Sequence, residues 1–239
     1  MRGLRALTGM ALRELWISFR LIPVVALPLA AGIVVIALPP ELAGVSAIGG
    51  AGFWYAVGAS VAICLAGMLA ASTMADERRR GTVAWMAVRA VPRSSVLMSW
   101  FVAYALLLTS GIAIGAIGAF LAALSRAESP IDPLPFAAAV IAVLTTALAA
   151  LAAGLLIGAV LGRWVAAIAS LALFGVVLAA TVAGSLDGVL LPSTGVGLLA
   201  DLGGSGRPVG DALRAAGAAL ASGAVLLVLS AALLERADL

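Results

Sequence analysis

Six long uncharged runs dominate this chain: Leu21–Pro40, Leu42–Ala75, Ser94–Ser125, Pro133–Gly162, Trp164–Leu186 and Ala215–Leu234, together 159 of its 239 residues. Every run reaches the roughly 20 residues that a helix rising about 1.5 Å per residue needs to cross about 30 Å of hydrocarbon. The expectation is an all-α integral membrane protein with six transmembrane helices. Charged residues make up only 10% of the chain and mean hydropathy is +1.22, whereas soluble domains carry about 25% charge. None of the intervening segments approaches the roughly 50 residues of an independent folded domain. A soluble catalytic unit is therefore excluded from this stretch of chain.

The missing residue types narrow the chemistry further. All fourteen basic residues are Arg, and the phosphate-binding loop G-x-x-x-x-G-K-[ST] requires a Lys. His is absent and Cys64 is the single cysteine, so imidazole or thiolate metal sites, Ser–His catalysis and an intrachain disulfide all drop out. Cys64 sits mid-run and reads as a packing residue. No catalytic, metal or cofactor site is expected in the chain. A net charge of +3 does not indicate nucleic acid, which needs a basic face on a folded domain.

Arginine placement predicts the sidedness. With the N-terminus inside, the inner segments carry Arg2, Arg5, Arg13, Arg20, Arg78, Arg79, Arg80, Arg89, Arg93, Arg163 and Arg236, and the outer ones Arg126, Arg207 and Arg214. Cytoplasmic loops are enriched in positive charge, so both termini are expected in the cytoplasm.

Residues 1–20 read as an interfacial helix, because Leu4, Leu7, Ala11 and Leu15 fall on one side at 100° per residue and Arg2, Arg5, Arg13 and Arg20 on the other. Trp16 and Phe19 suit an aromatic belt. The spans are placed at 21–40, 53–74, 95–125, 133–162, 164–185 and 215–234, with a tight inner turn at Gly162, Arg163 and Trp164. An inner loop occupies 75–93. The outer stretch 186–214 contains a 13-residue uncharged piece, Gly188–Ala200, too short to cross and broken by Leu191-Pro192-Ser193-Thr194-Gly195, which predicts short re-entrant helices.

Inside the spans, Gly154, Gly158 and Gly162, and likewise Gly111 and Gly115, recur every fourth residue and strip one helix face for close packing. Packing within the chain and against a second copy are both open at this stage. No charge lies deep in a span, which argues against ion-coupled transport. The deep hydroxyls are Ser60, Ser170, Thr145, Thr146 and Thr181; Ser60, Ser170 and Thr181 are candidate pathway residues, although such groups commonly bond back to their own helix.

The inner loop carries the most information. Asp76 and Glu77 suit a helix N-terminus, Val83, Trp85, Met86 and Val88 form an apolar set, and Pro92 ends the segment. A short helix of this kind is what a docking element for a cytoplasmic partner needs, and a membrane-surface helix with no partner is the alternative. Its residues Glu77-Arg78-Arg79-Arg80-Gly81-Thr82, then Trp85 and Met86, then Val91-Pro92-Arg93-Ser94, resemble the E-[KR]-x-x-G-T segment and following turn of the type-2 ABC transporter permeases. Ser99 and Trp100 depart from a Gly-Lys pair that the family often carries early in span three.

The resemblance implies the membrane subunit of an ATP-driven exporter in a bacterial cytoplasmic membrane. Such a permease dimerises, more readily with a second copy of itself than with another chain, and binds a separate ATPase subunit that holds the ATP and magnesium. The loop 75–93 would then be a coupling helix, with Glu77, Arg78, Arg79, Arg80, Gly81, Thr82, Trp85 and Arg89 as the contact residues. Its partners would be the ATPase, the second permease and membrane lipid, with no nucleic acid. An ATP-independent transporter or channel and a non-transporting scaffold are the competing readings.

Overall fold

The computed structural model describes residues 2–37, 47–81, 92–127, 131–182, 193–200, 202 and 209–236, and all secondary structure among them is helical. In chain order the helices are α1 (Arg2–Ile17), α2 (Leu21–Ala37), α3 (Ala47–Arg79), α4 (Arg93–Arg126), α5 (Pro133–Val160), α6 (Arg163–Val182), α7 (Thr194–Ala200) and α8 (Val209–Arg236). Five of them, α3, α4, α5, α6 and α8, are long and apolar enough to cross a membrane. Their apolar exteriors agree with that reading: on α6, Val165, Ile168 and Val176 are each at least 60% exposed, surface that water would not tolerate in a contiguous band.

Local chemistry sets the helix boundaries. Asp132 caps α5, accepting a hydrogen bond from the Leu134 amide at 3.0 Å, and Pro133 follows at the first helical position, where its missing N–H costs nothing. Pro92 precedes α4. Between α1 and α2 the chain turns by 72° through Phe19, whose φ of 56° is uncommon for an aromatic residue.

The bundle is built around α3 and α5. Buried residues make up 56% and 61% of their most apolar stretches, against 28% for α6 and 22% for α8. α3 packs on α2, α4, α5, α6 and α7, while α5 packs most extensively on α8. The glycine stripes explain the closeness. A Cβ on Gly154 would strike the backbone of Gly67, and one on Gly158 the backbone of Ala71, which joins α5 to α3. A Cβ on Gly115 would strike the Pro28 carbonyl, and one on Gly32 the Gly115 carbonyl, which joins α4 to α2. Both stripes are thus used within the chain. Gly162 takes no part, since it lies beyond the end of α5 with open space around it.

Several expectations are corrected. α3 does not end at residue 74 but continues to Arg79, so Asp76 and Glu77 occupy the last turns of a long helix and not the first turn of a new one. Apolar residues lead straight into Glu and Arg, good helix formers, and nothing breaks the helix before Gly81. The side of α1 bearing Ala11 and Leu15 faces protein: both are 1% exposed and join the core as α1 packs on α4. Met10, Trp16, Ile17 and Phe19 form its exposed apolar surface instead. α8 begins at Val209, six residues ahead of the expected span. Ahead of α8, the described residues of the 186–214 region form a short helix, α7, whose Gly195 abuts the backbone of Ala142, about 14 Å along α5 from its start.

Candidate functional site

Charged side chains gather where α3 ends. The Asp76 carboxylate, 11% exposed, receives Arg20 from the α1–α2 turn and Arg163 from the start of α6, each at 3.5 Å to the same oxygen. Arg20 also donates to Thr73 Oγ1 at 2.7 Å, and Thr73 lies 2.9 Å from the Tyr104 hydroxyl on α4. One turn further along, Arg80 reaches Glu14 of α1 at 3.1 Å, and Arg78 donates to the Gly158 carbonyl of α5 at 3.5 Å. At the same end Arg93 donates to the Leu234 carbonyl at 3.2 Å, tying the start of α4 to the end of α8.

Charge placed this way serves the helix electrostatically. Carboxylates in the last turns of a helix face the negative end of its dipole, an unfavourable position that Arg20 and Arg163 offset here. Arg78 and Arg79 in the final turn suit the dipole. Glu77 is 4% exposed, so it is built into the bundle rather than held out to solvent. The helix closes at Gly81, which adopts φ 68° while its amide donates to the Arg78 carbonyl at 3.1 Å. This is the left-handed glycine stop common at helix C-termini.

Of the eight residues expected to contact a partner, five fall within the described part. Glu77, Arg78, Arg79, Arg80 and Gly81 terminate α3; Thr82, Trp85 and Arg89, with the expected coupling helix, lie outside the described residues. Sequence reasoning missed Asp76, Arg20, Arg163 and Glu14 as the partners that lock this terminus. A signal existed: Arg163 alone interrupts two apolar runs, and a solitary charge in that position needs a counter-ion.

The opposite end carries fewer charges. Arg126 donates to the Ile36 carbonyl at 2.6 Å, and Arg214 pairs with Asp211 on the α8 surface at 3.1 Å. Among the candidate pathway hydroxyls, Ser60 donates to the Ala56 carbonyl of its own helix at 2.7 Å. Thr181 lies 2.7 Å from the Val177 carbonyl and 2.8 Å from Ser193; its one proton goes to the carbonyl when Ser193 donates to it, which moors α7 to α6. Ser170 is fully buried on α6.

None of these three lines the apolar cleft beside Phe174. That cleft, of about 250 Å3, runs between α6 and α8 over α5, with Phe174, Leu178 and Leu226 as walls and Thr146, Ser193 and Ser222 as its hydroxyl residues. No protein-family model, curated protein or solved structure matches the chain.

Proposed function

We propose that this chain is the membrane-spanning subunit of an ATP-driven exporter of the ABC type-2 kind, coupled through residues 75–93 to a separate cytoplasmic ATPase and paired with a second permease copy. In this reading α2, whose 17 residues extend about 26 Å, is the sixth span, and the charged end faces the cytoplasm of a bacterial cell. The carrying observation is mechanical: the terminus of α3 is tied to α1 by Arg80–Glu14, to the α1–α2 turn by Arg20–Asp76, to α6 by Arg163–Asp76 and to α5 by Arg78. A partner that grips the segment after Gly81 therefore moves four helices at once. Rigid-body switching of access needs such a handle.

The E-R-R-R-G-T segment supports the same assignment by its position, directly at the end of the second long apolar helix. Cargo of hydrophobic or amphiphilic character fits spans without deep charges, and the cleft beside Phe174 offers room for an apolar moiety. Inherent ATP hydrolysis is not expected of this chain; it belongs to the partner. The test is co-expression with the chain's genomic neighbours, purification in detergent and an ATPase assay on whatever co-elutes. Stoichiometric recovery of a hydrolysing subunit is expected, lost when residues 82–91 are replaced by a Gly/Ser linker of equal length. Recovery of the folded chain alone would overturn the reading in favour of a channel or scaffold.

A further inference from the structure

A second cavity, of about 450 Å3, opens where the end of α3 meets the α5–α6 turn, and Ala75, Arg78, Arg79, Leu161, Arg163 and Trp164 are among its walls. All its charged lining residues are arginines. The four guanidiniums around this corner, Arg20, Arg78, Arg79 and Arg163, face two carboxylates, Asp76 and Glu77, so positive charge stays in excess by two even after every pairing is granted. Arg78 Nε is buried and has no hydrogen-bond partner among the described residues. An orphaned guanidinium N–H beside a cavity calls for an acceptor.

Two further features point to the chemistry of that acceptor. α6 starts at this cavity, and because its first helical hydrogen bond runs from the Ala166 amide to the Gly162 carbonyl, the N–H groups ahead of Ala166 lack helical acceptors. A helix N-terminus of this kind favours a phosphate oxygen. Arg163 is also stacked 5.2 Å from the centre of its neighbour Trp164, an arrangement that holds the guanidinium at the rim. Leading away from the rim is an apolar strip, with Val160 57%, Trp164 72%, Val165 60% and Ile168 67% exposed. A soluble phosphate has no use for such a strip, whereas an acyl chain does.

We infer that this cavity binds the phosphate headgroup of an anionic phospholipid, with its acyl chains lying along α6. Basic pockets between membrane helices recognise headgroups in this way. The bound phosphate bridges the terminus of α3 and the start of α6, so lipid occupancy stiffens the corner that Asp76 organises. This site does not depend on the ATPase reading and stands or falls separately.

Native mass spectrometry of the purified full chain in neutral detergent, with added phosphatidylglycerol or phosphatidylcholine, tests it. Phosphatidylglycerol should be retained over phosphatidylcholine, and Arg79→Gln, at an exposed position, should reduce that retention roughly fivefold, as the loss of about one basic contact implies. Arg78→Gln should act in the same direction, and Arg214→Gln, at the opposite end, should leave retention unchanged. Equal retention of the two lipids, or indifference to both Arg78→Gln and Arg79→Gln in monodisperse protein, would overturn the proposal. Displacement of the lipid by millimolar inorganic phosphate would overturn the lipid assignment in favour of a soluble phosphate compound.

Discussion

Asp76 and Arg163 meet at 3.5 Å across the end of α3 and the start of α6, and the carboxylate oxygen that Arg163 reaches is the one that Arg20 also reaches. One acid thus closes a corner between the entry segment and two apolar helices. Replacing it with Asn keeps the shape and leaves two guanidiniums facing each other. Since Arg20 is 24% and Arg163 42% exposed, water screens part of the loss, and the cost should be about 1–2 kcal/mol. Asp76→Asn should therefore lower the apparent unfolding temperature in detergent by roughly 2–8 °C. Asp211→Asn, which breaks the exposed pair with Arg214, should change it little. Equal behaviour of the two variants would show that the Asp76 bridges do not hold the corner.

Close packing of α5 on α3 makes a separate prediction. The atoms that a side chain at Gly154 or Gly158 would meet are backbone atoms of Gly67 and Ala71, which cannot rotate aside. Gly154→Val should cost about 3 kcal/mol, at the upper end of overpacking, and shift the protein from a monodisperse peak to aggregate on gel filtration. Gly175 and Gly217 have open space around the site of a Cβ, so alanine at either position should be neutral, or stabilising by up to about 1 kcal/mol through helix propensity. A normal elution profile for Gly154→Val would mean that α3 and α5 can separate without loss of fold.

The spans were legible in the sequence because charge is excluded from hydrocarbon, so the uncharged runs mark the helices directly; α4, α5 and α6 lie within three residues of the expected limits at each end. The same rule obscured the end of α3. Helical hydrogen bonding does not stop where the charges begin: Asp76 and Glu77 remain helical, and Arg20 and Arg163 come to Asp76 from distant parts of the chain. Periodicity likewise showed that α1 has an apolar face. It could not show that α4 covers Ala11 and Leu15, since protein and lipid are equally apolar neighbours for such a face. Spacing marked the close-packing glycines too, but their partners Gly67, Ala71, Pro28 and Gly32 are a matter of tertiary arrangement.

Gly81 links the fold to the proposed coupling role. Its φ of 68° suits Gly, is tolerated by Asn, and is closed to Pro, whose ring fixes φ near −65°. A Cβ there would meet nothing within 4 Å, so the penalty is conformational and local. In the proposed complex with an ATPase, Gly81→Asn should retain ATP hydrolysis, while Gly81→Pro should cut it severalfold with the chain still folded, because the segment after α3 leaves at the wrong angle. Glu77→Ala should reduce hydrolysis as well. Full hydrolysis in both Gly81→Pro and Glu77→Ala complexes would remove the coupling role from this terminus.

Sidedness can be read by chemical labelling. Ser18 and Ser125 are both exposed; Ser18 adjoins Arg20 at the charged end, and Ser125 adjoins Arg126, which is bonded to the far end of α2. Each can carry a lone cysteine once Cys64, buried in α3, is replaced by Ala. Arginine concentrated at one end predicts that this end is cytoplasmic. Ser125→Cys should then react with a membrane-impermeant maleimide in intact cells, and Ser18→Cys only after permeabilisation. The reversed pattern would turn the molecule over. It would place the terminus of α3 on the outside, out of reach of any ATP-hydrolysing partner, and the exporter reading would fail with it.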